Sequence, residues 1–240
     1  MDTEAQHTER DRSSPSSEPA PATADAPDTE GTEERSRSVF ASVVGRLPGG
    51  RFTFSALVGM AVLLLVATFV VQPYAIPSGS MEPALRPGDR VLVNKLAYRF
   101  GSGPQRGDAV VFDGSGYFGD SDYVKRIVGV GGDRVVCCDK RGRIKVNGAP
   151  VDEPFLFPGD APSKVPFDVV VPGGTLFLLG DHRGDSSDSR DHLGSPGGGM
   201  VPKDAVIGRA DWIAWPLGRW TSLKRPDAYA RVPAPGGTHG

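Results

Sequence analysis

Cysteine is nearly absent from this chain: the only two, Cys137 and Cys138, are adjacent. Neighbouring thiols offer neither the ligand spacing of a metal site nor a disulfide framework. They make either a vicinal disulfide or two free thiols. Charge of one sign is lacking as well. The formal net charge is −2 and 23% of residues are charged, so there is no electrostatic case for a nucleic-acid partner. Apolar runs long enough for a bilayer are lacking except for one. Beyond that run no segment shows the 3.6-residue apolar period of an amphipathic helix.

What is plentiful is glycine and proline, 32 and 22 residues, which suggests a turn-rich β protein with loose ends. From Met1 to about Ser38 there is almost nothing to bury. Ten acidic residues stand there against four arginines, and the stretch reads as a disordered tail. Its acidity does not suit a transit peptide or a secretory leader. Phe54 to Val71 then runs eighteen residues without a charge. As a helix it would reach about 27 Å, close to the thickness of a bilayer core. A cleaved leader fits worse, because no Ala-x-Ala site follows and more than fifty residues precede it. Arg35, Arg37, Arg46 and Arg51 lie before the run, and the next basic residue is Arg86. The positive-inside rule therefore puts the N-terminus in the cytoplasm and the remainder outside, in a single-pass protein of the cell membrane.

After the run, short strand-like segments alternate with turns: Arg90–Val93, Ala109–Phe112, Tyr123–Val130, Arg134–Val136, Arg143–Val146, Val169–Val171, Thr175–Leu179 and Ala205–Ile213. Asn147-Gly148 and Lys140-Arg141-Gly142 are turn signals between them. The expected fold class is all-β, an antiparallel, barrel-like sheet domain behind one N-terminal transmembrane helix. The expected divisions are a cytoplasmic tail over 1–53, the membrane helix over 54–72, an extracytoplasmic domain over 74–222 and a flexible tail over 223–240. Pro154 to Pro166 reads as a loop.

Three groups of residues could carry chemistry. In Ile76-Pro77-Ser78-Gly79-Ser80-Met81-Glu82-Pro83-Ala84-Leu85 two serines sit between prolines that restrict the backbone, with Gly79 allowing close approach. That stretch could present a rigid hydroxyl beside a second donor, or it could be a simple turn. Lys125 lies in the strand Asp122–Val130. Alternation puts Tyr123, Lys125 and Ile127 on one face. A lysine on an apolar face loses solvation, its pKa falls, and the neutral amine can deprotonate a serine. The competing reading is a surface charge paired with Asp122 or Asp133. The third group is Gly180 to Arg190, dense in Asp, Ser and Arg, directly after an apolar strand. It lacks the spacing of an EF-hand. A Ser-His-Asp site through His182 or His192 is disfavoured, because Ser80 is in no Gly-x-Ser-x-Gly elbow.

Taken together, these stretches resemble the bacterial type I signal peptidases (leader peptidases) over most of residues 54–213. Ser80-Met81-Glu82-Pro83 resembles that family's Ser-Met-x-Pro box behind the anchor. Arg106-Gly107-Asp108-Ala109-Val110 resembles its Arg-Gly-Asp-x-Val strand. Lys125-Arg126-Ile127-Val128-Gly129 to Gly132-Asp133 resembles Lys-Arg-Val-x-Gly-x-x-Gly-Asp. Gly180-Asp181 through Asp188-Ser189-Arg190 resembles Gly-Asp-Asn-x-x-x-Ser-x-Asp-Ser-Arg. The resemblance implies Ser80 as nucleophile and Lys125 as general base. It implies Ser78 as an oxyanion donor together with the Ser80 N–H, and Ser186 as the residue that orients the lysine amine. Asp188 and Arg190 would pair to hold their loop, supported by Asp181. Ile76, Pro77, Met81, Leu85, Tyr123 and Val124 would line shallow pockets for small residues at −1 and −3. His182 stands where Asn is usual, Gly184-Asp185 where Asp-Asn is common, and Ala84 where Thr is usual. None of these departures touches the implied dyad, which needs no metal or organic cofactor.

The expected activity is that of a membrane-anchored serine endopeptidase removing signal peptides from preproteins that emerge from the secretion machinery. The lipid bilayer would be its other partner. Two alternatives remain: a Ser-Lys peptidase dedicated to one narrow substrate, and a non-catalytic β domain tethered to the membrane for binding. The tryptophans Trp212, Trp215 and Trp220, with Tyr117 and Phe118, would rest either at the membrane interface or in the core.

Overall fold

The computed structural model describes residues 50–235. The expected acidic tail falls almost wholly outside that range. The chain divides into two compact units, 1–57 and 58–240, and the first is described only over its last residues. Helix α1 runs Arg51–Phe69 and is long and apolar enough to cross a membrane. It begins and ends a few residues earlier than the sequence suggested. None of its residues from Val58 onward is buried. Lys95 Nζ donates to the Thr68 carbonyl at 3.0 Å, placing a cation against the carbonyls of the helix end.

Among the described residues the rest is built on antiparallel β structure. Twelve strands follow: β1 Val71–Ala75, β2 Arg90–Asn94, β3 Ala109–Asp113, β4 Asp122–Val130, β5 Arg134–Cys137, β6 Lys145–Val146, β7 Ala149–Pro150, β8 Phe167–Val170, β9 Thr175–Leu179, β10 Val201–Pro202, β11 Val206–Trp215 and β12 Thr221–Ser222. The larger sheet has the order β1-β2-β11-β3-β4-β9-β10, with β12 on β11, and the smaller has the order β7-β6-β5-β8. The all-β expectation holds.

Strand β1 was not anticipated. The sequence suggests no strand between the apolar run and Ile76, and Pro73 within β1 cannot donate to a ladder. The strand forms because it lies at the sheet edge, where only one side needs donors. It pairs with β2 from Val71↔Asn94 to Ala75↔Arg90. The hairpin signal at Asn147-Gly148 is correct. Both residues take positive φ, 52° and 81°, between β6 and β7, as a tight two-residue turn requires.

Alternation along the strands fills both faces of the larger sheet. Val91, Val93, Val111, Ala210 and Ile213 pack with Ile76, Met81 and Leu85 on one face. Val110, Phe112, Ile127, Leu176, Leu178 and Val201 pack on the other. A third cluster joins the sheets, with Val135, Val146 and Phe167 against Val128, Phe177 and Leu179. Cys137 and Cys138 form a vicinal disulfide at the end of β5, which settles the alternative left open by the sequence.

The chain end, expected to be flexible from 223, is packed as far as it is described. Three buried acids on the domain need partners, and this segment helps to supply them. Arg225 Nε donates to Asp108 Oδ1 at 2.8 Å, and the Tyr229 hydroxyl donates to Glu153 Oε1 at 3.1 Å. Arg106, which is paired with Asp133, also donates to the Pro233 carbonyl at 3.2 Å. Tyr229 is only 5% exposed. Composition alone could not show this, because the anchors are isolated residues in a Pro/Gly-rich stretch.

Candidate active site

The loop after β1 carries the two serines. Ile76 anchors it by two backbone bonds, accepting from Gly88 N–H and donating to the Asp89 carbonyl, each at 2.9 Å. Met81 and Leu85 drop into the core at 1% exposure each. Burying each contributes about 1.5–3 kcal/mol, so the turn between them is pinned rather than mobile. Below the loop the buried Asp89 accepts both prongs of Arg219 at 2.9 Å, and Arg219 Nη2 reaches the Ala84 carbonyl at 3.3 Å. Neither Asp89 nor Arg219 was singled out from sequence. Only their separation by 130 positions hides a two-pronged pair.

The sheet brings Lys125 to this loop. In the β3–β4 register Val110 faces Lys125 and Phe112 faces Tyr123. Tyr123, Lys125 and Ile127 therefore share a face, as alternation indicated. Lys125 Nζ lies 2.8 Å from Ser80 Oγ. The lysine is 3% exposed, which rules out the reading as an ordinary surface charge. Burial pushes its pKa down to about 8, against the upward pull of Asp188, Asp181 and Asp185 and with a further downward push from Arg190. Asp133 is occupied by Arg106 instead.

The loop after β9 closes the site. His182 N–H donates to the Ser80 carbonyl at 3.1 Å, so this loop is bonded directly to the nucleophile stretch. Gly180 is required by contact. A Cβ there would collide with the Ser186 hydroxyl and with the Ser80 carbonyl. Asp188 receives Arg190 through two bonds of 2.8 Å and the Gly180 N–H at 3.0 Å. Burial pushes the Asp188 carboxyl up, but these bonds outweigh it and hold the group below the usual carboxylate range. Asp181 receives Arg126 at 2.7 and 2.5 Å. The Arg126 guanidinium also sits over the Phe155 ring, 4.6 Å from its centroid.

The remaining expected residues divide. Ser78 is exposed and its hydroxyl donates to Ser80 Oγ across 3.4 Å. Ser186 Oγ is buried beside Gly180 without a hydrogen-bond partner; it is not bonded to Lys125 as expected. Pro77 is exposed and Val124 is partly buried against the Met81 cluster. Ile76, Met81 and Leu85, expected as pocket lining, are core residues. Tyr123 stacks on Phe112, ring centroids 5.9 Å apart, and its hydroxyl bonds the Phe118 carbonyl at 3.3 Å. The histidine alternative finds no geometry. The His182 ring stacks on Phe157 at 3.9 Å, its Nδ1 has no partner, and among the described residues no hydrogen bond joins it to the Ser80 hydroxyl.

A hydroxyl held against a buried amine is the arrangement that serine-lysine acyl transfer needs. Comparison with known proteins identifies the family. The family model for signal peptidase, peptidase S26, matches residues 50–215. Signal peptidase I of Mycobacterium tuberculosis is 37% identical over 217 residues, covering 70% of this chain and 73% of that protein. Signal peptidase IB of Staphylococcus aureus is 34% identical over 189 residues, covering 72% and 93%. A crystal structure of a signal peptidase I from Enterococcus faecalis is 25% identical, covers 45% of this chain and 97% of its own, and has a TM-score of 0.36. The chain belongs to the signal peptidase family, peptidase S26, and is a hydrolase of the serine-peptidase class.

Proposed function

We propose that this protein is a membrane-anchored endopeptidase that cleaves signal peptides from exported preproteins with a Ser80–Lys125 dyad. The observation that carries the reading is the 2.8 Å contact between Ser80 Oγ and a lysine amine that burial brings to a pKa of about 8. Near neutral pH a useful fraction of such an amine is neutral and can take the serine proton as Oγ attacks the scissile carbonyl. The proton then passes to the departing amine, and a water deprotonated by the same lysine releases the acyl group. Ser78 Oγ and the Ser80 N–H receive the oxyanion. Ser186 has a buried hydroxyl without a hydrogen-bond partner, so it is free to turn to the amine when substrate binds.

Helix α1 supports a placement in the bilayer. It spans the membrane with its N-terminus in the cytoplasm, in keeping with Arg35, Arg37 and Arg46 before it and Arg51 at its start, and the β domain lies outside. There it meets preproteins leaving the secretion machinery. Of the residues expected to line the substrate pockets, Pro77 is exposed and Val124 only partly buried, and small side chains at −1 and −3 suit a shallow site of this kind.

Cleavage of a preprotein in detergent by wild type, Ser80→Ala, Lys125→Ala and His182→Ala variants tests the proposal. Activity should be lost in the first two variants and kept in the third. Full activity of both Ser80→Ala and Lys125→Ala would overturn it. A panel of unrelated preproteins tests the breadth of the substrate class. Cleavage of only one would point to the narrow processing peptidase instead.

A further inference from the structure

A chain of buried polar groups runs from the end of the described chain to the loop after β9. Tyr229, 5% exposed, donates its hydroxyl to Glu153 Oε1 at 3.1 Å. Glu153 accepts both prongs of Arg183, at 2.6 and 3.1 Å, and both of these side chains are 1% exposed. Arg183 Nε donates to the Gly180 carbonyl at 2.8 Å, and Nη1 also donates to the Pro162 carbonyl at 2.7 Å. Its own backbone carbonyl accepts Arg190 Nη2 at 2.9 Å, and Arg190 holds Asp188. The two ends of the loop, Gly180 and Arg190, are therefore both tied to Arg183.

An ion pair of this kind is an expensive way to fix a loop. Desolvating the two charges is compensated only if the geometry is good and each remaining lone pair and proton is satisfied. Tyr229 supplies one of those satisfying bonds to a pair that is itself almost wholly buried. It does so from a segment that carries none of the groups assigned to the chemistry. The loop it braces carries Asp181, Asp185, Asp188 and Arg190, the charged groups that face Lys125, together with Ser186. The other neighbours of Lys125 are the Ser80 hydroxyl and, on its own sheet face, Val110, Tyr123 and Ile127.

We propose that Tyr229 is a positioning residue of the peptidase, acting through Glu153 and Arg183 to hold the Gly180–Arg190 loop against Lys125. This inference rests on the Ser80–Lys125 reading. Loosening the loop admits water to Lys125, and the relief of desolvation, the largest influence on the amine, outweighs the lost pull of Asp188, Asp181 and Asp185, so the base changes rather than substrate binding. The expected signature is a fall in kcat with KM unchanged, and a pH–rate limb displaced upward towards the ordinary lysine value.

The test compares full-length wild type, Tyr229→Phe, Glu153→Gln and the double variant in detergent, using one preprotein from pH 6 to pH 10. Folded enzyme is counted by acylation of Ser80. Tyr229→Phe should lower kcat per folded enzyme by roughly three- to tenfold and raise the limb by about half a pH unit or more. The double variant should resemble Glu153→Gln alone, because the residues act as one unit. Arg183→Lys keeps the charge but not the two-pronged bond, and it should displace the limb in the same direction. An unmoved limb in both Tyr229→Phe and Arg183→Lys would overturn the inference, as would a loss confined to the folded fraction or to KM. Ser80→Ala separates the two readings. If it is inactive while Tyr229→Phe behaves as wild type, only the positioning role fails. If Ser80→Ala still cuts, the dyad fails and the inference with it.

Discussion

Replacing Lys125 by methionine removes an amine while keeping most of the side chain's length, and the consequence for stability depends on pH in a way that can be worked out. The amine sits in the fold with a pKa of about 8, lowered from 10.5 chiefly by burial. In the unfolded chain it regains the ordinary value. Between these values the unfolded state binds more protons than the folded state, so wild-type stability from this group rises with pH. Below about pH 8 both states hold a proton, and the fold carries the full cost of a buried ammonium. Above 10.5 neither does, and the cost is gone. The difference of 2.5 pH units corresponds to about 3 kcal/mol at 1.36 kcal/mol per unit. Urea unfolding of wild type and Lys125→Met in the same detergent, from pH 7 to pH 11, measures it. The variant's stability relative to wild type should be greatest at pH 7 and should decline by about 3 kcal/mol towards pH 11. Other titrating groups cancel in the comparison. A difference that stays flat across this range would mean that Lys125 titrates normally, and the argument for a neutral base near neutral pH would fail.

Other perturbations give separate outcomes. Gly180→Ala should abolish cleavage while leaving a folded domain, because its Cβ meets Ser186 and the Ser80 carbonyl; circular dichroism with a cleavage assay decides this. Arg219→Met leaves the buried Asp89 without its two-pronged partner beneath the nucleophile loop, so it should lower unfolding free energy by about 3 kcal/mol and reduce kcat. Wild-type kcat/KM should fall about tenfold per unit below pH 8, as expected for one essential base; a profile flat to pH 6 would contradict that. Trp212, Trp215 and Trp220 are 43%, 54% and 56% exposed, so the core reading fails for them, and the membrane-interface reading is the one to test. Changing all three to serine should weaken binding of the protein to lipid vesicles, measured by flotation.

The sequence carried much of this arrangement because its strongest signals are local. Alternation through Tyr123, Lys125 and Ile127 is a property of one strand, and the register with β3 puts those three side chains together as read. The strand Thr175–Leu179 has the same bounds in sequence and structure. What stayed hidden depends on contacts between distant positions. Arg219 with Asp89, and Tyr229 with Glu153, are single residues in stretches whose composition suggests loops. Met81 and Leu85 look like pocket lining beside a nucleophile, yet their burial depends on how the loop folds back over β2 and β11. Val71–Ala75 contains Pro73, which cannot donate to a ladder, so a strand there depends on the place of β1 at the sheet edge.

That edge strand changes how the enzyme meets its substrate. A catalytic head on a slack tether sweeps a volume, and its local concentration falls off gradually with distance. Here the chain passes from the end of α1 within two residues into a strand paired along all five of its positions, and the nucleophile follows five residues later. There is little slack to take up. If α1 spans the bilayer as proposed, Ser80 operates at one height above the lipid, and the enzyme acts as a gauge. It would sort preproteins by how far the bond to be cut projects from their own apolar segment, before any side-chain pocket is consulted.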